Sequence, residues 1–316
     1  MNGALTGGCR TACSRCGAEA VYLQRATGRH LCAGHLAGEV EARVGMTLAA
    51  DGMPPAGARV AVALSGGKDS TVLLSLLHGI VRQTRDLDLV AVTVDEGIAG
   101  YREETLRAAA AMAARFGVPH RTTSFTELFG EPLDRLVEGQ EERACSLCGI
   151  LRRKALMTLA REEGADCIAT GHNLDDEAQS VLMNWLRGDR DRLLRDPLQH
   201  RQRGFLGRVK PLRGIPEKEV ALYGMIAGLY SPMPECPYRY TALRGEARAM
   251  LNAMEQRVPG TMERVVQGQR KLAHMAAGLV PAPPGACARC GDPASGPLCQ
   301  ACRLLEGRVL RAARRQ

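Results

Sequence analysis

The chain has 316 residues, enough for one ordinary core domain with small appendages. Apolar residues make up 45% but aromatics only 3%, so Ala, Val and Leu must do most of the packing. There is no run of some 18 apolar residues and no signal-peptide pattern, which argues against a membrane or secreted protein and for a cytoplasmic one. The net charge of +8 favours a polyanionic partner, and 37 Arg stand against 5 Lys. Arg suits phosphate through its bidentate fork, although GC-rich coding produces the same bias.

In chain order, the first signal is Cys13-x-x-Cys16 followed, after 15 residues, by Cys32-x-x-His35. Two knuckles supplying four ligands suit tetrahedral zinc, and so small a segment would draw its folding energy from the metal. Cys9 reads as a tail residue. A helix is predicted to follow through Val44, and Gly45 to Gly57, with Pro54-Pro55, reads as a linker.

The core begins with the buried strand Val60-Ala61-Val62-Ala63-Leu64 and then Ser65-Gly66-Gly67-Lys68-Asp69-Ser70, opening the helix that carries Thr71 to Leu77. Gly66 and Gly67 allow a sharp turn and close approach of a ligand, and the free N–H groups of the helix start favour an anion. The Walker spacing is absent. The six residues instead resemble the PP-loop of ATP pyrophosphatases, which cleave ATP to AMP and pyrophosphate.

Further predicted elements are a strand at Leu89–Val94 ending in Asp95-Glu96-Gly97, a helix at Arg102–Phe116, and a strand at His120–Ser124. A helix at Leu151–Glu163, a strand at Asp166–Thr170 and a helix at Leu174–Leu186 follow. Strands alternating with helices indicate a doubly wound parallel α/β sheet, whose ligand sits beyond the carboxyl ends of the strands. The loop at Ser65–Ser70, Asp95 and Gly171-His172 should therefore line one crevice.

Gly171-His172-Asn173-Leu174-Asp175-Asp176-Glu177 is the second chemical stretch. Asp175 and Asp176 fall in a first helical turn, where a carboxylate is favoured by the dipole alone. Alternatively one of them, preferentially Asp176, holds Mg2+ or positions the substrate base. The third stretch is Cys145-x-x-Cys148, just ahead of the helix carrying Arg152 and Arg153. With Cys236, in Pro234-Glu235-Cys236-Pro237-Tyr238, it could ligate a [4Fe–4S] cluster with one open iron, or form a redox thiol pair with a persulfide carrier. Cys167 lies in an apolar run and reads as a core thiol.

Residues 187 to 213 carry Arg187, Arg190, Arg192, Arg195, Arg201, Arg203, Arg208, Lys210 and Arg213 against three Asp, which suits an RNA backbone. Lys210-Pro211-Leu212 is predicted as a last strand and Pro216 to Glu219 as a helix start. After a Pro/Gly linker from Gly278 to Gly285 come Cys287-x-x-Cys290 and Cys299-x-x-Cys302, a zinc-ribbon pattern. Arg308, Arg311, Arg314 and Arg315 form a basic tail. The expected organisation is a zinc module at 1–48, a PP-loop catalytic domain at 55–275 and a zinc ribbon at 284–316.

Taken together, these motifs resemble the tRNA 2-thiouridine synthetases, the family of the TtuA enzymes and the TtcA-like cytosolic thiouridylases. The resemblance implies ATP on Ala63, Ser65, Gly66, Gly67, Lys68, Asp69, Ser70 and Thr93, closed by Gly171 and Asp176. It implies a [4Fe–4S] cluster on Cys145, Cys148 and Cys236, with Arg152 standing where relatives carry a basic residue, commonly Lys. It further implies Mg2+, two Zn2+, tRNA as substrate, a ubiquitin-like sulfur carrier with a C-terminal thiocarboxylate, and a homodimer. The Glu-Cys-Pro-Tyr context is most like TtuA and points to uridine 54 of the T-loop. Uridine 34 in the anticodon, or a cluster-free persulfide mechanism, is the alternative.

Overall fold

The computed structural model describes residues 11–51, 54–84, 87–194, 206–229, 232–238, 243–276 and 285–313. Cys9, Arg195, Arg201, Arg203, Arg314, Arg315 and nearly all of the second linker lie outside them. The chain opens with a hairpin, β1 (Tyr22–Gln24) against β2 (Arg29–Leu31), and helix α1 (Ala33–Asp51). The main sheet then alternates with helices. Its elements are β3 (Ala58–Ala63), α2 (Lys68–Thr84), β4 (Leu87–Asp95), α3 (Arg102–Phe116) and β5 (His120–Ser124). The short helices α4 (Phe125–Phe129) and α5 (Leu133–Leu136) lead to α6 (Ala144–Glu162), β6 (Cys167–Ala169), α7 (Leu174–Leu186), α8 (Arg190–Leu194) and β7 (Gly207–Val209). Three further helices follow, α9 (Glu217–Ile226), α10 (Leu243–Arg257) and α11 (Thr261–Met275). The chain ends in β8 (Gly285–Ala286), β9 (Pro293–Ala294) and α12 (Gln300–Ala313).

The five-stranded sheet has the order β5-β4-β3-β6-β7, and every neighbouring pair is parallel. Helices cover both faces, so β3 and β4 are buried almost end to end and read as continuous apolar runs rather than alternating ones. Strand order reverses between β3 and β6. At that point the following loops diverge to opposite sides and leave a crevice at the carboxyl ends. The loop after β3 is Leu64 to Gly67, and the loop after β6 is Thr170 to Asn173.

Several predicted boundaries move. The first helix runs on through Gly45 to Asp51, so most of the expected linker is helical. A single Gly costs about 1 kcal/mol in a helix, and burying Val44 and Leu48 in the main core offsets it. Helix α1 thereby belongs to the same core as β3 and α2. The last strand of the sheet is β7, not Lys210–Leu212, where the chain turns. Pro211 has no N–H to give a ladder. Helix α6 starts at Ala144 rather than Leu151, because Gly149 does not interrupt it, and Cys145 and Cys148 thus sit in its first turns. Cys167 is buried in β6, as its apolar run implied.

Candidate active site

The Ser65–Ser70 loop is pre-formed by its own hydroxyls. Ser70 Oγ accepts from the Ser65 N–H at 3.1 Å, lies 3.0 Å from Ser65 Oγ, and donates to the Gly67 carbonyl at 2.9 Å. Gly66 has φ +86°, and a Cβ there would sit 2.0 Å from the Thr105 carbonyl oxygen, so only glycine fits. Across the switch point, a Cβ on Gly171 would lie 3.1 Å from the backbone of Asp69 and Ser70. The two loops are in backbone contact there. Thr93, buried in β4, ties its hydroxyl to the Leu64 carbonyl at 2.6 Å and to His120 Nε2 at 2.7 Å. Its side chain braces the exit of β3.

Charges gather around this crevice. Lys68 Nζ lies 3.0 Å from Asp69 and 2.7 Å from Glu217 of α9. Asn173 and Asp176 form a capping box at the start of α7, and Asn173 Nδ2 also reaches Asp69 Oδ1 at 3.4 Å. Asp175 accepts from the Glu217 N–H at 2.7 Å and so caps α9 instead. Arg244 of α10 stands 3.5 Å from Asp176 and 3.1 Å from Gln179, and Arg248 stands 3.7 Å from Glu217. Burial pushes the carboxyls of Asp69, Asp175 and Asp176 above the usual carboxylate range, with mutual repulsion adding to it. A polyvalent cation would relieve that crowding.

Cys145 and Cys148 on α6 lie near the Cys236 segment, but the three sulfurs are not all within 4.8 Å of one another as the terminal ligand sets are. Cys145 Sγ donates to the Tyr238 carbonyl at 3.1 Å, which ties the Cys236 segment to α6. Arg152 Nη2 is 3.3 Å from Cys148 Sγ. Burial holds the Cys148 thiol up at about 11 despite Arg152, and it also raises Cys236. Three thiols are a soft donor set of the kind that suits iron–sulfur ligation, with the Glu96 carboxylate close enough to raise Cys148 and Cys236 further.

Glu96 joins the two centres. Only 2% of it is exposed, and its carboxylate pairs with Arg102 Nε at 2.7 Å and with Arg152. Arg102, itself buried, reaches the Ser65 carbonyl at 3.4 Å and the Val94 carbonyl. A chain of charge-assisted contacts therefore runs from the anion loop through Arg102, Glu96 and Arg152 to Cys148. Sequence reading missed Glu96, Arg102, Glu217 and Arg244. Glu96 alone carried a signal, as an acidic residue directly after a strand end.

Among the described residues, two groups bring four ligand atoms within 4.8 Å of one another: Cys13, Cys16, Cys32 and His35, and Cys287, Cys290, Cys299 and Cys302. The Cys16–Cys32 and Cys290–Cys299 sulfur separations of 3.8 and 3.7 Å match the roughly 3.8 Å expected of tetrahedral sulfurs about 2.3 Å from zinc. His35 Nδ1 lies 3.5 Å from Cys13 Sγ and 3.3 Å from Cys32 Sγ. Backbone N–H groups lower the Cys13 and Cys287 thiols to about 6, whereas burial and neighbouring thiols raise Cys16, Cys290 and Cys302, so one thiol in each group is set to ionise first.

A family model for the PP-loop domain matches residues 40–228, and one for the TtuA N-terminal LIM domain matches residues 13–37. The tRNA 2-thiolation protein NcsA of Haloferax volcanii is 38% identical, over 93% of this chain and 98% of that protein. The chain belongs to this PP-loop family of tRNA 2-thiolation proteins. Another member, cytoplasmic tRNA 2-thiolation protein 1 of Bos taurus, is 41% identical over 93% of this chain and 87% of its own length. A solved member, the U34-tRNA thiolase NcsA from Methanococcus maripaludis with its [4Fe–4S] cluster, superposes with a TM-score of 0.79. It shares 32% identity and covers 94% of this chain and 96% of its own. These relatives act on position 34 where their names state a position, so the expectation of uridine 54, drawn from the Glu-Cys-Pro-Tyr context, gives way to its alternative. Among the described residues no helix is long and apolar enough to cross a membrane.

Proposed function

We propose that this chain thiolates C2 of uridine 34 in tRNA, using ATP to activate the carbonyl. The observation that carries the reading is the continuous contact from the Ser65–Ser70 loop to Cys148 through Arg102, Glu96 and Arg152, which sets an ATP site and a soft-donor site in one rigid frame.

The uridine O2 is a poor leaving group. Its attack on the α-phosphorus of ATP forms an O–P bond, breaks the α–β bridge and releases pyrophosphate. A sulfur nucleophile then adds at C2, the C2–O bond breaks, and the oxygen leaves in AMP. Gly66, Gly67 and the first N–H groups of α2 cradle the pyrophosphate, and Lys68 exchanges its carboxylate partners for phosphate oxygens. Asp69 and Asp176, facing each other across the switch point, are the residues to hold Mg2+. Arg244 is placed to stay beside Asp176 and orient what enters.

Cys145, Cys148 and Cys236 would hold a [4Fe–4S] cluster, which with three protein ligands supplies one iron open to an external sulfur ligand. Arg152 neutralises charge beside Cys148. Two Zn2+ on the terminal ligand sets are structural in this reading. Sulfur from a ubiquitin-like thiocarboxylate carrier and a cytoplasmic setting accord with it, the latter with the relatives' name.

The test is anaerobic purification followed by assay. A brown protein with about four irons and absorption near ~400 nm is expected, together with loss of 2-thiouridine from the position-34 fragment of tRNA in a strain lacking the gene. Iron-free protein with full activity would overturn the cluster assignment in favour of persulfide chemistry. Thiolation lost from position 54 instead would overturn the site.

A further inference from the structure

The only tryptophan of the chain, Trp185, is 56% exposed. It ends a stripe on α7, with Leu174, Ala178 and Leu182, that packs against Leu251, Met262, Val265 and Val266 of α10 and α11. The stripe outruns its cover. Beyond Leu182 the α7–α11 seam opens into a groove of about 420 Å3, walled by Trp185, Val265 and Leu272 with Arg264 and Lys271 at its edge. That volume is in the range of small-ligand clefts, about 300–1,000 Å3.

The lining contains two cations and no carboxylate. Arg264 is held by neutral acceptors, the carbonyls of Val258 and Pro259 and the Thr261 hydroxyl, so its charge remains available. Gln269 donates to the Leu193 carbonyl at 2.8 Å and fixes α8 against the same helix, which keeps the floor of the groove in place. Just past Trp185, Arg187, Arg190 and Arg192 are exposed; Asp189 and Asp191 offset part of that charge. An exposed indole face beside unneutralised cations is the arrangement that takes an unpaired base and its phosphates.

We infer that the Trp185 groove is a docking site for an unpaired nucleotide of the tRNA substrate, with the base stacked on the indole and the phosphates on Arg264 and Lys271. The inference rests on the tRNA reading above. Trp185 lies nine residues from Asp176, about 14 Å along the helix, and on its opposite side. The groove therefore engages a part of the RNA away from the reacting uridine.

Because Trp185 is the sole tryptophan, its fluorescence reports on this groove alone. Free protein should emit as a solvent-exposed indole, and transcribed tRNA should quench it saturably and less at high salt. Trp185→Ala should weaken tRNA binding about tenfold by gel shift, with Trp185→Phe in between, both folded by circular dichroism. Lys271→Gln should lower the salt slope by roughly one. Gel-shifted tRNA with unchanged fluorescence and an unaffected Trp185→Ala variant would overturn the docking site and leave the tRNA reading intact. No tRNA binding in any assay would overturn that reading as well. A blue-shifted indole in free protein, or quenching by the sulfur-carrier protein and not by tRNA, would assign the groove to another occupant and overturn the inference.

Discussion

At the scale of single residues, Asp176 has two tasks that pull apart. As the third residue of α7 it closes a capping box with Asn173, which stabilises the helix start. As a carboxylate it is half-buried near Asp175 and Glu217, and that partial burial raises its folded value above the unfolded one. A carboxyl shifted that way opposes folding at neutral pH, and the opposition fades as pH falls through the folded value towards the ordinary carboxylate range. Asp176→Asn keeps an acceptor for the Asn173 N–H and removes the charge. It should melt no lower than wild type at pH 7, with the gap between the two closing on acidification. AMP release should fall by roughly 100-fold or more if Asp176 serves the reaction. A variant that melts lower yet retains activity would mean that capping is its whole task.

At the scale of elements, the two centres depend on the end of β4. This strand delivers Glu96 into a buried position between Arg102 on α3 and Arg152 on α6. Removing one partner from a buried pair leaves the other uncompensated and costs about 3–5 kcal/mol. Glu96→Gln is therefore expected to lower the melting temperature and to reduce both AMP release and iron retention. Arg152→Ala, at a side chain that is 44% exposed, should spare ATP use and affect the cysteine side alone. Iron content measured beside AMP release separates the two, and a Glu96→Gln protein normal in both would refute the coupling. The sequence placed Arg152 near the cysteines but could not show the link, because Arg152 lies 56 residues from Glu96 in the chain.

At the scale of the whole molecule, the two terminal groups of ligand residues pack against the PP-loop domain. Arg43 on α1 pairs with Glu219 of α9 at 2.6 Å, and Gln24 reaches the same carboxylate at 3.1 Å. At the other end, Asp292 lies between Lys154 at 2.8 Å and Arg161 at 2.5 Å, both on α6. Cys287, Ala294, Cys299 and Ala301 share a core with Cys148, Leu151 and Ala155. The C-terminal ribbon thus braces the helix that carries Cys145 and Cys148. Asp292→Asn should destabilise by about 1–3 kcal/mol, less than a fully buried pair because Arg161 reaches water. Zinc content should stay constant, since Asp292 is no ligand, while iron retention falls. Unchanged iron retention would reduce the ribbon to an appendage.

Local chemistry let the sequence determine much of this protein. The Gly-Gly turn and the Cys-x-x-Cys spacings each act over a few residues, so the Ser65–Ser70 turn, the two groups of four ligand residues that the fold gathers, and the alternation of strands and helices were legible. Where an element ends depends on burial, so Gly45 and Gly149 misled: each is tolerated inside a helix whose neighbours pack. The long-range pairs, Glu96 with Arg152, Lys68 with Glu217, and Asp292 with Lys154 and Arg161, follow only from which elements the fold brings together. The loop at Ser65–Ser70 was written in the chain; its connection to Cys148 exists only in the fold.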